Sequence, residues 1–180
     1  MTVPDPSVGG LISTQSDQGE APSRLFSNML RPVIIAFLIV GICVVIHTIG
    51  LVYIAEILVA RRQRLSAMGT AGHVAVLLFV FAMVVTLHMI EAMVWAGFYQ
   101  WWNLFPDLET SWYFSLTSYT TIGFGDVTLP EKWRMLGGVE GFSGVLLCGI
   151  STAFIMIVLN ALLINRMPEG DSLPGAGGGT

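Results

Sequence analysis

The sequence predicts an all-α membrane protein: three spanning helices, with a short re-entrant helix and a loop between the second and the third. Three observations lead there. Of 180 residues, 54% are hydrophobic and 11% charged. Three apolar stretches each exceed the ~20 residues that cross a bilayer as a helix. The segment between the second and third stretches is too long for a hairpin and too apolar for an aqueous loop. Gly and Met are scattered through the stretches without the strict alternation of a membrane β-strand, and helices satisfy their own backbone in lipid. The net charge of -4 points to no partner, and nothing suggests nucleic acid.

Residues 1–31 are rich in Pro, Ser, Gly, Asp and Gln and are expected to be a disordered tail. No apolar run follows the start closely enough for a signal peptide, so the first span, 32–60, is expected to act as an uncleaved signal. It carries His47 and Glu56, nine residues apart and nearly opposite on a helix. Glu56 is expected to reach the basic loop that follows, and His47 to be a lone mid-span histidine facing another helix.

Residues 61–69 form that loop, with Arg61, Arg62 and Arg64. Arg166 makes four positive charges on this side; Arg24, Arg31, Lys132 and Arg134 make four on the other. The charge rule for orientation is therefore tied. The five tryptophans, Trp95, Trp101, Trp102, Trp112 and Trp133, run from the last turns of the second span, 70–99, to the start of the third, 136–165. Indoles prefer the headgroup level, which places this segment along one interface.

Ionisable residues inside spans require an explanation. His88 and Glu91 are three apart and share a face of the second span, with Glu140 at a similar depth on the third. They are expected to form either a pH-sensing network that braces the re-entrant helix or a satisfied structural hydrogen bond. On the third span Gly137, Gly141, Gly144, Cys148 and Thr152 make a stripe of small residues that lets backbones approach in lipid. Cys43 and Cys148 are expected to be buried thiols rather than disulfide partners or metal ligands. Residues 167–180, with two prolines and a GAGGG run, are expected to be a second disordered tail. No span carries arginine at every third position, so a voltage sensor of the usual kind is not expected.

Between the spans, Asp107 after Pro106 offers an N-cap to an amphipathic helix over 108–120. The residues from Thr120 to Asp126 read TTIGFGD. Glycine adopts left-handed backbone at little steric cost, so Gly123 and Gly125 allow successive carbonyls to turn the same way. A ring of such carbonyls can replace the hydration shell of a cation.

A membrane helix, a re-entrant helix, TTIGFGD and a second membrane helix together resemble the pore domain of potassium channels, over roughly Gly72 to Asn165. That resemblance implies a filter in which Thr121, Ile122, Gly123, Phe124 and Gly125 coordinate K+, with Thr117, Thr120, Tyr113, Phe114 and Asp126 supporting it. It assigns residues 70–166 to a pore domain, 121–126 to the filter and 136–165 to the inner helix, with Gly144 or Gly149 as a possible bend. Simple bacterial members often hold the filter with two pore-helix tryptophans. The same offsets here pair Phe114 with Phe124 and Tyr113 with Asp126. One chain supplies one filter strand and a ring needs four, so a homotetramer around a central pore is implied. The family's outward-facing filter implies an N-terminus outside and a C-terminus in the cytoplasm, in a membrane expected to be a bacterial inner membrane. Asp107, Glu109, Asp126 and Glu131 would line the outer mouth against Lys132 and Arg134. No cofactor or enzymatic activity is expected, only lipid and potassium ions as partners. The alternatives are a non-selective cation channel of the same fold, a potassium carrier subunit, and a membrane metalloprotein using His88, Glu91, Glu140 and Glu56.

Overall fold

The computed structural model describes residues 22–164, so the expected C-terminal tail and residues 1–21 lie outside it. Among the described residues the chain is all α: α1 spans Pro22–Ala60, α2 Arg62–Ser66, α3 Thr70–Trp101, α4 Leu108–Tyr119 and α5 Arg134–Ile164, with a 3-10 turn at Glu131–Trp133. Leu30–Ala60, Thr70–Trp101 and Glu131–Leu163 are long and apolar enough to cross a membrane. The protein is a multi-pass membrane protein with three spanning helices.

The start of the first helix and the basic loop differ most from expectation. α1 begins at Pro22, so residues 22–31 are helical rather than part of the tail. Proline is well suited to the first turn, where its missing N–H has no helical partner. The basic loop contains the one-turn helix α2, and the His73 Nε2 lies 3.1 Å from the Leu65 carbonyl, which ties α2 to the start of α3.

Local chemistry sets the ends of α3 and α4. α3 stops where Asn103 turns left-handed, at φ 51°, a conformation asparagine accepts as a helix terminator. Its N–H bonds the Gln100 carbonyl, and that of Leu104 bonds Tyr99. α4 starts at Asp107, whose side chain accepts from the Thr110 N–H at 2.7 Å. That bond is the main cause holding the Asp107 carboxyl below its ordinary value.

α4 lies between α3 and α5, and α1 packs along both α3 and α5. Toward the loop end, Ala36, Ile39, Cys43, Trp95, Tyr99 and Phe114 belong to one buried cluster; toward the other end, Leu51, Ile54, Val80, Val84, Val158 and Leu162 make a second. Ile34, Phe37, Leu38, Leu78 and Phe81 are exposed, as expected of side chains that face lipid. Trp95 departs from the interfacial reading of the tryptophans: it is fully buried beside Tyr99, with ring centroids 6.0 Å apart. The two are four positions apart on α3, so they share its inward face. Trp101, by contrast, is 84% exposed.

The glycine stripe of α5 faces α4. A β-carbon at Gly137 would stand 3.2 Å from the Phe114 ring and one at Gly141 2.8 Å from the Ser118 carbonyl oxygen; one at Gly144 would overlap the Tyr119 carbonyl. These residues let α5 lie directly on the end of α4. Cys148 is exposed in the chain, whereas Cys43 is buried; both are free.

Candidate functional site

The loop after α4 has alternating backbone handedness. Thr121, Gly123 and Gly125 have φ of 61°, 52° and 79°, and Ile122 and Phe124 between them do not share that sign. Such alternation allows successive carbonyls to turn to one side of a strand. Glycine was expected at two of these positions. Thr121 adopts the same conformation with a β-branched side chain, which costs on the order of 1–2 kcal/mol and must be offset by its surroundings.

The bracing is visible in the hydrogen bonds. The Gly123 N–H donates to the Thr117 carbonyl at 3.0 Å, and the Thr121 N–H to Ser118 at 2.9 Å. The Thr120 hydroxyl donates to Leu116 at 2.6 Å and that of Thr117 to Phe114 at 2.9 Å. Farther along, the Tyr113 hydroxyl donates to Asp126 at 2.8 Å, the hydrogen bond the spacing allowed. This bond is the main cause holding the Asp126 carboxyl below its ordinary value.

The second expected pair is absent within the chain. Phe114 turns away from the loop, against Phe105 at 5.0 Å and Tyr99 at 5.4 Å between centroids, and no ring contact among the described residues joins it to Phe124. Phe124 is 68% and Ile122 58% exposed. The apolar pocket between α3, α4 and α5 draws Phe114 inward, and periodicity alone did not show it.

Behind the loop, the membrane carboxylates separate into two clusters, not one. Glu140 of α5 accepts from the Tyr99 hydroxyl at 2.7 Å and lies 2.5 Å from the Ser115 Oγ. Ser115 is also 2.7 Å from the Ala92 carbonyl. Glu91 of α3 lies 3.2 Å from the His88 Nδ1 and accepts from the Tyr119 hydroxyl. Its other oxygen is 2.7 Å from the Nδ1 of His47. His47 is therefore not a lone histidine; it is 1% exposed and joins α1 to α3. The signal available in the sequence was the expense of a second titratable group at mid-span, but its partner lay 44 residues away. Both clusters end on α4, through Ser115 and Tyr119, one helical turn apart. Glu56 is exposed on α1 and belongs to neither.

His47, His88 and Glu91 bring ligand atoms within 4.8 Å of one another, the one such grouping among the described residues. Glu140 and Glu56 are outside it. Between the loop and α5, Glu131 lies 3.6 Å from Arg134, an exposed pair.

Three spanning helices, a short capped helix between two of them and a loop of alternating handedness braced on that helix are consistent with an all-α membrane channel. Residues 73–161 match the family model described as an ion channel, which covers α4, the loop and nearly all of α3 and α5. No curated protein and no solved structure matches the chain. The match supports passive conduction of ions. α1, with His47, lies outside it.

Proposed function

We propose that four copies of the chain assemble around a central axis as a potassium-selective channel, with TTIGFGD as the filter. The observation that carries this reading is the alternation of φ at Thr121, Gly123 and Gly125. Four such strands facing an axis offer rings of carbonyls from Thr121, Ile122, Gly123 and Phe124, with the Thr121 hydroxyl at the inner end, in place of the hydration shell of K+. The C-terminal end of α4 adjoins the loop, and its partial negative charge favours a cation there.

A second observation supports the assembly. Ile122 and Phe124 expose large apolar side chains on a loop that also carries polar groups, which calls for cover by neighbouring copies. In this arrangement the filter opens outward, the N-terminus is outside, the Arg61–Arg64 loop and the C-terminus are cytoplasmic, and the exposed faces of the spans meet cell-membrane lipid. α5 lines the cavity. Gly149, with open space around its α-carbon, is where it bends, since Gly144 is committed to its contact with Tyr119.

The reversal potential of purified protein in a planar bilayer, with K+ on one side and Na+ on the other, tests the proposal. A value close to the potassium equilibrium potential, lost in Gly123→Ala, is expected. A value near zero would replace it with a non-selective cation channel of the same fold.

A further inference from the structure

Five side chains from four helices close a ring of hydrogen bonds in the interior of the bundle. His47 Nδ1 lies 2.7 Å from Glu91 Oε1. Glu91 Oε2 meets the Tyr119 hydroxyl, which is 2.8 Å from His88 Nδ1. His88 Nε2 is 3.0 Å from the Ser151 Oγ, and Ser151 closes the ring 3.1 Å from His47 Nε2. We propose that this ring is a binding site for one proton, held in common by Glu91, His47 and His88, and that Tyr119 passes its occupancy to the end of α4.

The argument is a count. Each of the five links needs one hydrogen between its two heavy atoms. The hydroxyls of Tyr119 and Ser151 bring one each, two neutral imidazoles bring one each, and an ionised Glu91 brings none. Four hydrogens cannot close five links. The ring requires one more, and whether it rests on Glu91 or on either imidazole, the cluster is then neutral overall. Without it, one link sets two lone pairs face to face and leaves a carboxylate charge uncompensated inside a membrane bundle.

Two further approaches leave the count unchanged. His88 Nδ1 also lies 3.2 Å from Glu91 Oε2 and shares the same hydrogen. The Cys148 thiol, 3.9 Å from His88 Nε2, brings its own. The other titratable groups near the ring are Cys43 on α1, Tyr99 on α3 and Glu140 on α5. Tyr99 and Glu140 are bonded to each other. No Lys or Arg is among the described buried residues, so no fixed cation supplies the missing charge.

A divalent metal on His47, His88 and Glu91 would supply it too. The spacing favours the proton. Ligands of a tetrahedral metal stand about 3.3 Å apart, while His47 and Glu91 are 2.7 Å apart.

Tyr119 is the last residue of α4; its carbonyl packs on Gly144 and Thr120 begins the loop. Loss of the proton at high pH weakens the hold of the ring on Tyr119 and so the support of the loop. This coupling rests on the channel reading; the proton site does not.

Full-length protein carrying 15N-histidine, in lipid nanodiscs, is titrated by NMR, alongside bilayer currents over the same pH range. Glu91→Gln supplies an amide hydrogen to His47 and a carbonyl to Tyr119, so the ring closes with two neutral imidazoles and no added proton. Tyr119→Phe removes two links and one hydrogen, and the 3.2 Å approach of His88 Nδ1 to Glu91 Oε2 becomes a link in their place; four links then face three hydrogens, so the variant keeps the proton and cuts the tie to α4. The wild type is expected to release one proton in a single step seen at both histidines. That step is absent in Glu91→Gln and retained in Tyr119→Phe, whose current loses its pH dependence. Neutral imidazoles with no step in the wild type, an unchanged step in Glu91→Gln, or one chelator-resistant metal ion per chain would each overturn the proton site. An unaltered pH dependence of current in Tyr119→Phe would overturn the coupling. If Glu91→Gln fails to fold, the wild-type titration decides the proton site by itself, with or without measurable current.

Discussion

The hydroxyl of Tyr113, in the first half of α4, donates to the carboxylate of Asp126, thirteen residues on and beyond the last glycine of the loop, at 2.8 Å. The bond ties the far end of the loop back to the helix that precedes it. It holds the Asp126 carboxyl below its ordinary value of 3.8. A carboxyl lowered in this way stabilises the folded loop fully above that ordinary value, and the contribution is lost as pH falls through the lowered one. Tyr113→Phe is expected to return Asp126 to the ordinary carboxylate range. On the channel reading, an acid-side decline of current is then expected to begin at higher pH, measured in wild type and variant with pH varied on each side of the bilayer in turn.

Ser115 presents one hydrogen to two oxygens, the Ala92 carbonyl and Glu140. A glutamine amide at position 140 can donate to Ser115, which frees the serine hydrogen for Ala92, and can still accept from Tyr99. Glu140→Gln is therefore expected to leave thermal stability in detergent within about 1 kcal/mol of wild type. Tyr99→Phe, which strips a buried carboxylate oxygen of its donor, is expected to cost about 1–3 kcal/mol. Equal losses in the two variants would refute the assignment of donors.

Gly144 and Gly149 lie on the same helix and differ in their surroundings. A β-carbon at 144 meets the Tyr119 carbonyl, whereas nothing lies within 4 Å of one at 149. Gly144→Ala is expected to destabilise the fold by about 1–3 kcal/mol through overpacking. Gly149→Ala is expected to gain about 0.5–1 kcal/mol of helix propensity. A lower open probability in Gly149→Ala, with stability retained, would mark it as the bend. Thermal unfolding of both, with single-channel recording of the second, separates packing from gating.

Space is not the obstacle at Gly123. Nothing lies within 4 Å of an added β-carbon, but its φ of +52° strains any L side chain. Gly123→Ala is expected to cost on the order of 1 kcal/mol in the loop and to leave overall unfolding nearly unchanged, while shifting the reversal potential toward zero. A variant that keeps full selectivity would show that the backbone handedness need not alternate at position 123.

The three spans, the cap at Asp107 and the glycine pair of the loop were legible because each is a local property: run length, one side chain beside its own N–H groups, freedom at φ. The Tyr113–Asp126 bond was legible from spacing, since a short helix and a tight loop leave few places for the two ends. The direction of Phe114 was not, because α4 offers two apolar surroundings and only the packed bundle selects the one lined by Tyr99 and Phe105.

By itself, the sequence determined that this chain crosses a membrane three times and that TTIGFGD follows a short helix between the second and third spans, because lipid forces backbone hydrogen bonds inward and leaves helices as the economical solution. The tertiary structure decided the partners of the buried charges. It divided Glu91 from Glu140 and recruited His47 from a helix that carries no part of the loop. The reason is distance along the chain: His47 and Glu91 are 44 residues apart and His47 and Ser151 are 104, and no periodicity spans such gaps until three helices pack side by side.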